Sequence, residues 1–334
     1  MFNKLYVKFK KFIKENYVFL IVLTLIYLTL TFPLPYYIYN GGGVLKLEDR
    51  ILIDGKTNKL DINLSYVNQL KGNIGTYLLS YVFPHWDKEK IDNQEYDYEE
   101  EIYRNKIMLE ESVNNATINA YKEANKKYKI VGEKVLVIYI FEESKTDLQV
   151  GDQIIKVNNS IVHSTDEFVD IINNGEIGDE LEIEVMSKEE KKVRKAKIID
   201  YDGEKKTGIG IITNYVMETK PEIEIKFKSN EAGPSGGLML TLGIYEQLTN
   251  SNISKERKIC GTGTIDKDGN VGEISGVKYK LRGAVKNNCD IFIAPTNNYK
   301  EVLKEKKENN YKIKTYEAKT FKETLEYLLK TKKD

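Results

Sequence analysis

The chain has 334 residues, with 51 Lys+Arg against 51 Asp+Glu, two histidines and two cysteines. Zero net charge excludes a dedicated nucleic-acid binder, which needs a basic excess to hold phosphates. Two cysteines exclude a disulfide framework and a four-cysteine zinc site, and His85 and His163 match no metal-ligand spacing. With 41% hydrophobic and 31% charged residues the chain can bury a core, and its length suits two modest domains with additions.

The first forty residues differ from the rest. No charged side chain occurs from Asn16 to Leu45. An apolar run of this length predicts a transmembrane helix over residues 16–39, with Tyr36, Tyr37 and Tyr39 at the interface as an aromatic belt. Five lysines precede it, at positions 4, 8, 10, 11 and 14, whereas only Lys46 and Arg50 lie in residues 40–54. The positive-inside rule then keeps residues 1–15 as a cytoplasmic tail and sends everything after the helix outside the cell membrane. Two alternatives stand beside this one. A cleaved signal peptide would end in a small-residue A-x-A site, and here the run ends in Phe, Pro and Tyr. A buried helix of a soluble protein would not be apolar all round.

Residues 44–128 form an N-terminal region outside the membrane. Strand-like stretches, Arg50 to Ile53 and Leu60 to Leu64, are punctuated by Asp54-Gly55 and Lys71-Gly72. From 87 to 128 the pattern becomes that of an amphipathic helix without Gly or Pro. Carboxylates (Glu95, Asp97, Glu99, Glu100, Glu101) gather near its start, where the helix dipole favours them. This helix is expected to pack on a neighbouring domain.

In residues 129–200, Lys134 to Ile140 reads as a strand. A turn and second strand follow in Leu148-Gln-Val-Gly-Asp-Gln-Ile-Ile-Lys-Val157, then a helix from Thr165 and an alternating strand, Leu181 to Val185. The order and the L-x-V-G-D-x-I-x-x-V core resemble a PDZ domain of the bacterial envelope-protease kind. That resemblance implies a groove in which an extended peptide adds as a strand. Its wall is expected around Val131, Gly132, Val135, Leu136 and Val137. The alternative is a domain that only packs and spaces. His163 is expected in a solvated turn.

The chemistry begins after Pro221. A strand-like stretch, Glu222 to Phe227, runs into Glu231-Ala-Gly-Pro-Ser-Gly-Gly237 and then an apolar helix from Leu238. A serine between a strand and a helix start, among glycines, suits a nucleophile: backbone N–H groups can reach an anion, and the helix start adds partial positive charge. Such a serine needs a base. Both histidines lie upstream in other regions. A lysine can serve if burial leaves it neutral near working pH. Lys278 and Lys280 both lie in Val271-Gly-Glu-Ile-Ser-Gly-Val-Lys-Tyr-Lys280.

G-P-S-x-G at 233–237, T-G-x-I, D-G-x-V-x-x-I-x-G-V-K and A-P-x-x-N together resemble the proteolytic domain of the Lon peptidase family over residues 205–331. The resemblance implies a Ser-Lys dyad with Ser235 as nucleophile and Lys278, forty-three residues on and directly after Gly-Val, as general base. Lys280 is then a bystander. Thr262 is a candidate to orient either group, and backbone N–H groups near Gly233 and Ser235 are candidates for an oxyanion hole. Ala232 stands where the cytosolic family is usually acidic, so no role of that carboxylate transfers. The chain has no G-x-x-x-x-G-K-[ST] phosphate loop, so no cofactor is expected and hydrolysis would be ATP-independent. Cys260 and Cys289 are either buried free thiols or a disulfide.

The expected fold is multidomain α+β: transmembrane helix, small β/α region with a long helix, PDZ-like domain, Lon-type α/β proteolytic domain. The order resembles the membrane-anchored PDZ/Lon-like serine peptidases of Gram-positive bacteria. The resemblance implies a membrane-anchored endopeptidase acting on extracytoplasmic protein or peptide substrates, and homo-oligomers such as rings. The alternative is a catalytically silent, membrane-tethered peptide-binding module.

Overall fold

The computed structural model describes residues 2–91, 98–229 and 231–331. In chain order its elements begin with α1 (Phe2–Thr31), β1 (Pro33–Lys46), β2 (Ile51–Ile53), β3 (Ile62–Asn73), α2 (Ile74–Leu79), β4 (Asp87–Lys90) and α3 (Tyr98–Glu123). Next come β5 (Lys127–Ile140), β6 (Gln153–Val157), β7 (Ser160–Ile161), α4 (Thr165–Asn174), β8 (Glu180–Ser187), β9 (Glu190–Lys197), β10 (Ile199–Tyr201), β11 (Glu204–Lys206) and β12 (Ile209–Lys220). The remainder is β13 (Ile223–Ile225), α5 (Gly237–Thr249), β14 (Ile259–Gly261), β15 (Thr264–Ile265), β16 (Val271–Gly272), α6 (Val277–Lys286), β17 (Ile291–Pro295), α7 (Thr296–Glu308), β18 (Lys314–Ala318) and α8 (Phe321–Lys330). The chain divides into two units, residues 1–43 with 67–96, and residues 44–66 with 97–334.

In the first unit, α1 is long and apolar enough to cross a membrane from Leu5 to Thr31, and its apolar window buries nothing against protein. Asn16 leaves helical geometry (φ −120°, ψ 15°) where the lysine-rich stretch gives way to the apolar one. The helix stops at Thr31, short of the expected residue 39. Pro33 has no N–H to donate and disfavours helical geometry at Phe32, so the chain turns extended and β1 begins. Tyr36, Tyr37 and Tyr39 therefore lie on a strand, paired with β4 in the register Tyr36↔Lys90 to Tyr39↔Asp87, and not at a helix end. At Gly72 a Cβ would come within 2.7 Å of the Tyr36 carbonyl oxygen, so only glycine permits this approach of β3 to β1.

The second unit holds two cores. The larger core is a parallel sheet in the order β18-β17-β14-β3. Alternate side chains point to opposite faces, as the strand pleat demands. Ile259, Ile291 and Ile293 enter a cluster with α3, α5 and α8. Cys260, Phe292 and Ala294 enter a second with α6 and α7. Cys260 and Cys289 form a disulfide, with Cα atoms 5.9 Å apart.

The other core is PDZ-like. Its sheet runs β12-β5-β6-β8-β9 with β7 beside β6, and α4 closes it by packing Phe168 and Ile172 over Val135, Val137, Ile154 and Ile183. The boundaries differ from those expected. β12 pairs with β5 from Ile209↔Ile140 to Lys220↔Lys127, so the PDZ-like sheet continues well past residue 200. Leu47, Ile51, Leu60, Ile62, Ala116, Ala120 and Tyr121 pack with Leu238 to Leu242. Much of the expected N-terminal region thus belongs to the larger core, and the PDZ-like domain is inserted within it. The long helix is α3, beginning at Tyr98, because residues 87–90 are strand β4. Glu99, Glu100 and Glu101 lie in its first turn, while Glu95 and Asp97 lie outside the described residues.

Candidate active site

The loop before α5 is pinned on several sides. Arg50 grips Glu231 through two guanidinium bonds of 2.8 Å, and the Glu231 carboxylate also accepts the Lys228 N–H. Gly233 takes φ +102°, a region costly for other residues, and its N–H donates to the Asn105 carbonyl on α3. Ser112, two turns further along the same face of α3, donates its hydroxyl to the Pro234 carbonyl at 2.9 Å. Gly237 opens α5 where a Cβ would lie 2.7 Å from Ile265 Cγ2 and 2.8 Å from Ser112 Oγ. Any side chain there would push the helix start off its supports.

This loop presents Ser235, half-buried, with its carbonyl oxygen accepting from the Thr262 hydroxyl at 2.9 Å and from the Gly263 N–H at 2.8 Å. Thr262 is fully buried, and its own N–H donates to Ile293 on β17. The third member arrives from α6. Lys280 Nζ donates to Thr262 Oγ1 at 3.1 Å, and the side chain is 3% exposed. Burial among apolar groups pushes the Lys280 ammonium down to about 7, because desolvation penalises the charged form. Among the described residues no carboxylate pairs with it.

The expected base, Lys278, does not enter this crevice. Gly276, with φ +69°, starts α6, and successive residues turn about 100° around the helix axis. Lys278 and Lys280 are two positions apart, about 200° around the axis, so they lie on nearly opposite faces. Lys278 is partly exposed, with its ammonium 4.8 Å from the Tyr279 ring centroid. Sequence spacing points to the first lysine; the helical turn brings the second to Thr262. The signal that could have found Lys280 is its period: Val277, Lys280, Leu281 and Ala284 form the buried stripe of α6. Asn298, the last residue of A-P-x-x-N, is buried and clasps Ile274, accepting its N–H at 2.9 Å and donating to its carbonyl at 2.8 Å, which fixes the loop entering α6.

Gly233 is likewise not an oxyanion donor, since its N–H is already given to Asn105. Among the described residues, the N–H groups of Ser235 and Gly236 have no protein acceptor. A cleft of about 870 Å³, lined by Tyr103, Leu136, Tyr215 and Phe227 among others, runs beside Glu231 at the entry to this loop.

The expected peptide wall is largely occupied. Val135 and Leu136 on β5 have partners on both edges, Thr213 and Ile212 on β12 and Ile154 and Gln153 on β6, whereas Gly132 is paired with Val216 on the β12 side and Val131 falls at a break in that ladder. Val135 and Val137 are core residues, and Leu136 lines the 870 Å³ cleft. The edge strand is β12, and α4 lies alongside it: the Thr165 N–H donates to Thr213 Oγ1 at 3.2 Å. Between them is a groove of about 510 Å³ lined by Phe168, Val169, Ile172, Ile209 and Ile211, closed at one end by Lys205, whose ammonium donates to the Asn173 and Gly175 carbonyls. His163 is exposed, as expected of a solvated turn.

The model of the Lon protease (S16) C-terminal proteolytic domain matches residues 148–331, more than half the chain. The chain belongs to this family. The match starts inside the PDZ-like insert and runs through Ser235, Thr262 and Lys280 to the end of α8. Among solved structures the chain is similar to the PDZ domains of SdrC-like proteins from Listeria monocytogenes (22% identity, TM-score 0.23) and Listeria innocua (26% identity, TM-score 0.22). These matches cover 25% and 23% of this chain, and 93% and 92% of the respective domains. No curated protein matches the chain.

Proposed function

We propose that the protein is a membrane-anchored, ATP-independent serine endopeptidase whose dyad is Ser235 and Lys280. The observation that carries this reading is a buried lysine, driven toward neutrality, whose ammonium bonds Thr262 while the Thr262 hydroxyl bonds the nucleophile's own carbonyl. Neutral Lys280 accepts the Ser235 hydroxyl proton as the oxygen attacks the peptide carbonyl. The Ser235 and Gly236 N–H groups stabilise the oxyanion. Collapse breaks the C–N bond, Lys280 returns the proton to the leaving amine, and an acyl-enzyme remains. Water then attacks that ester with Lys280 again as base. Thr262 is a positioning residue, holding both the serine backbone and the lysine.

Protein substrates reach the site through the cleft beside Glu231, and the groove between α4 and β12 recruits an extended peptide segment as an added strand. The apolar, unburied helix α1 supports a single-pass anchor. The disulfide supports an oxidising surrounding, outside the cytoplasm, for the proteolytic domain. The test compares cleavage of an unfolded protein substrate, and labelling by a serine-directed phosphonate, in the wild type, Ser235→Ala, Lys280→Met and Lys278→Ala. Loss of both in the first two variants with retention in the third is expected. Loss with Lys278→Ala and retention with Lys280→Met would overturn the assignment.

A further inference from the structure

The unit that carries α1 also carries an apolar surface. Asn73 caps α2 with a reciprocal capping box, and the same side chain donates its amide to the Leu30 carbonyl at 2.8 Å. That carbonyl belongs to the last turn of α1, where helical acceptors have no partner of their own. A Cβ on Gly75 would stand 3.3 Å from the Thr29 carbonyl oxygen. So α2 lies tightly against the end of the helix suited to a bilayer. From there the chain exposes Leu78, Leu79, Tyr81, Val82 and Phe83 in near-unbroken succession, with Val82 72% and Tyr81 68% exposed. Beside them the rings of Tyr36, Tyr77 and Tyr81 succeed one another at 5.0 and 5.6 Å, Lys88 lies over Tyr77 and Tyr81, and the tilted rings of Trp86 and Phe83 lie 5.3 Å apart.

We infer that residues 74–86 are a second membrane contact, an interfacial segment whose apolar side chains enter the bilayer beside the end of α1. The inference rests on the reading of α1 as an anchor. The charge-free part of α1 past the break at Asn16, residues 17–31, extends about 22 Å as a helix, so a ~30 Å hydrocarbon thickness also takes in residues flanking it on either side. The bond from Asn73 to Leu30 then places α2 at that boundary. The composition agrees: aliphatic tips, tyrosines and a tryptophan, with a lysine covering the aromatic rings, match an element lying about 5–10 Å into the headgroup and acyl region. In water this contiguous surface would stay unburied.

Trp86 is the only tryptophan in the chain, so its emission reports this segment alone. The full chain is reconstituted into phosphatidylcholine–phosphatidylglycerol vesicles carrying bromines near the headgroup or deep in the acyl chains, and its flotation with the vesicles is measured in parallel. The expected result is flotation together with loss of Trp86 emission, greater with shallow than with deep bromines. In the Tyr81→Ser, Val82→Ser, Phe83→Ser triple variant, flotation persists and the quenching is lost. Flotation with unquenched Trp86 would overturn the inference while leaving the anchor intact, and a blue-shifted but unquenched emission would point to a protein partner over the patch. Failure to float would overturn both readings. Quenching undiminished in a folded triple variant would also overturn the inference.

Discussion

The two cores of the second unit treat buried charge in opposite ways. In the PDZ-like core the buried carboxylate of Asp152 is paired, its Oδ2 accepting from Arg194 Nε at 3.2 Å and from the Gln149 N–H at 2.9 Å. The proteolytic core also holds paired groups, such as Arg282 with Glu305, but it buries Lys280 and Glu246 without an opposite charge beside them. A paired buried charge fixes shape. An unpaired one is held away from its ordinary protonation state, and near neutral pH it can take or give a proton. One core is therefore a frame with an open groove at its edge, and the other buries an ionisable lysine next to the loop that carries Ser235.

The comparison breaks first at Ser235. Ser235→Ala is expected to lower kcat/KM on an unfolded protein by roughly 10⁴-fold or more, leaving only what binding and the oxyanion donors supply. Measured turnover within tenfold of wild type would place the chemistry elsewhere. Lys280→Met keeps an apolar chain of similar reach and removes the base, so a loss on the order of 10³-fold is expected with the fold retained by circular dichroism. Lys278→Ala, on the opposite face of α6, should leave the rate within a few-fold of wild type.

The pH profile sharpens the same contrast. Lys280 must be neutral to act, and burial holds it at about 7. The rate constant should therefore fall as pH drops below 7, approaching about tenfold per unit, and hold above it. A profile still rising through pH 10 would describe a lysine with an ordinary, solvated ammonium. In the PDZ-like groove the expected effect is smaller and of another kind. Val169→Arg puts a charge into the wall between α4 and β12 without touching the dyad. KM for protein substrates should rise several-fold while kcat, and cleavage of a short peptide, stay unchanged.

Much of this was legible in the sequence because it is local. The apolar run of α1, the Gly-Pro-Ser-Gly-Gly stretch before α5 and the strand–turn–strand order of the PDZ-like domain are each written in neighbouring residues. The rest depends on what the chain meets after folding. Residues 44–66 and α3 read as a separate region because their periodicity says that they bury a face, not against which core. The peptide groove was placed on β5 because the strand was visible, whereas its pairing partner β12 lies some seventy residues further on and occupies that edge. Lys278 was favoured over Lys280 by linear spacing, and spacing carries no information on which face of α6 meets Thr262. The link from Asn73 to Leu30 joins residues far apart in sequence through a side chain that the sequence shows only as a cap.

Glu246, on the same helix that Ser235 introduces, gives the mildest test and the clearest sign. Burial, with Asp61 nearby adding to it, raises its carboxyl to about 8 against an ordinary value of 4.5, and Oε2 has no hydrogen-bond partner. The folded protein therefore holds a proton that the unfolded chain releases above about 4.5. The resulting contribution to stability is fully present below pH 4.5 and is lost as pH rises through about 8. Glu246→Gln removes the titration and keeps the shape. At pH 9 the variant should be more stable than wild type by about 1–3 kcal/mol, the cost of a poorly compensated buried charge, and the two should converge toward pH 5. Urea unfolding at the two pH values measures the difference. Equal stability at pH 9 would mean that water or a cation already serves this carboxylate, and that Lys280 alone distinguishes the proteolytic core from its PDZ-like insert.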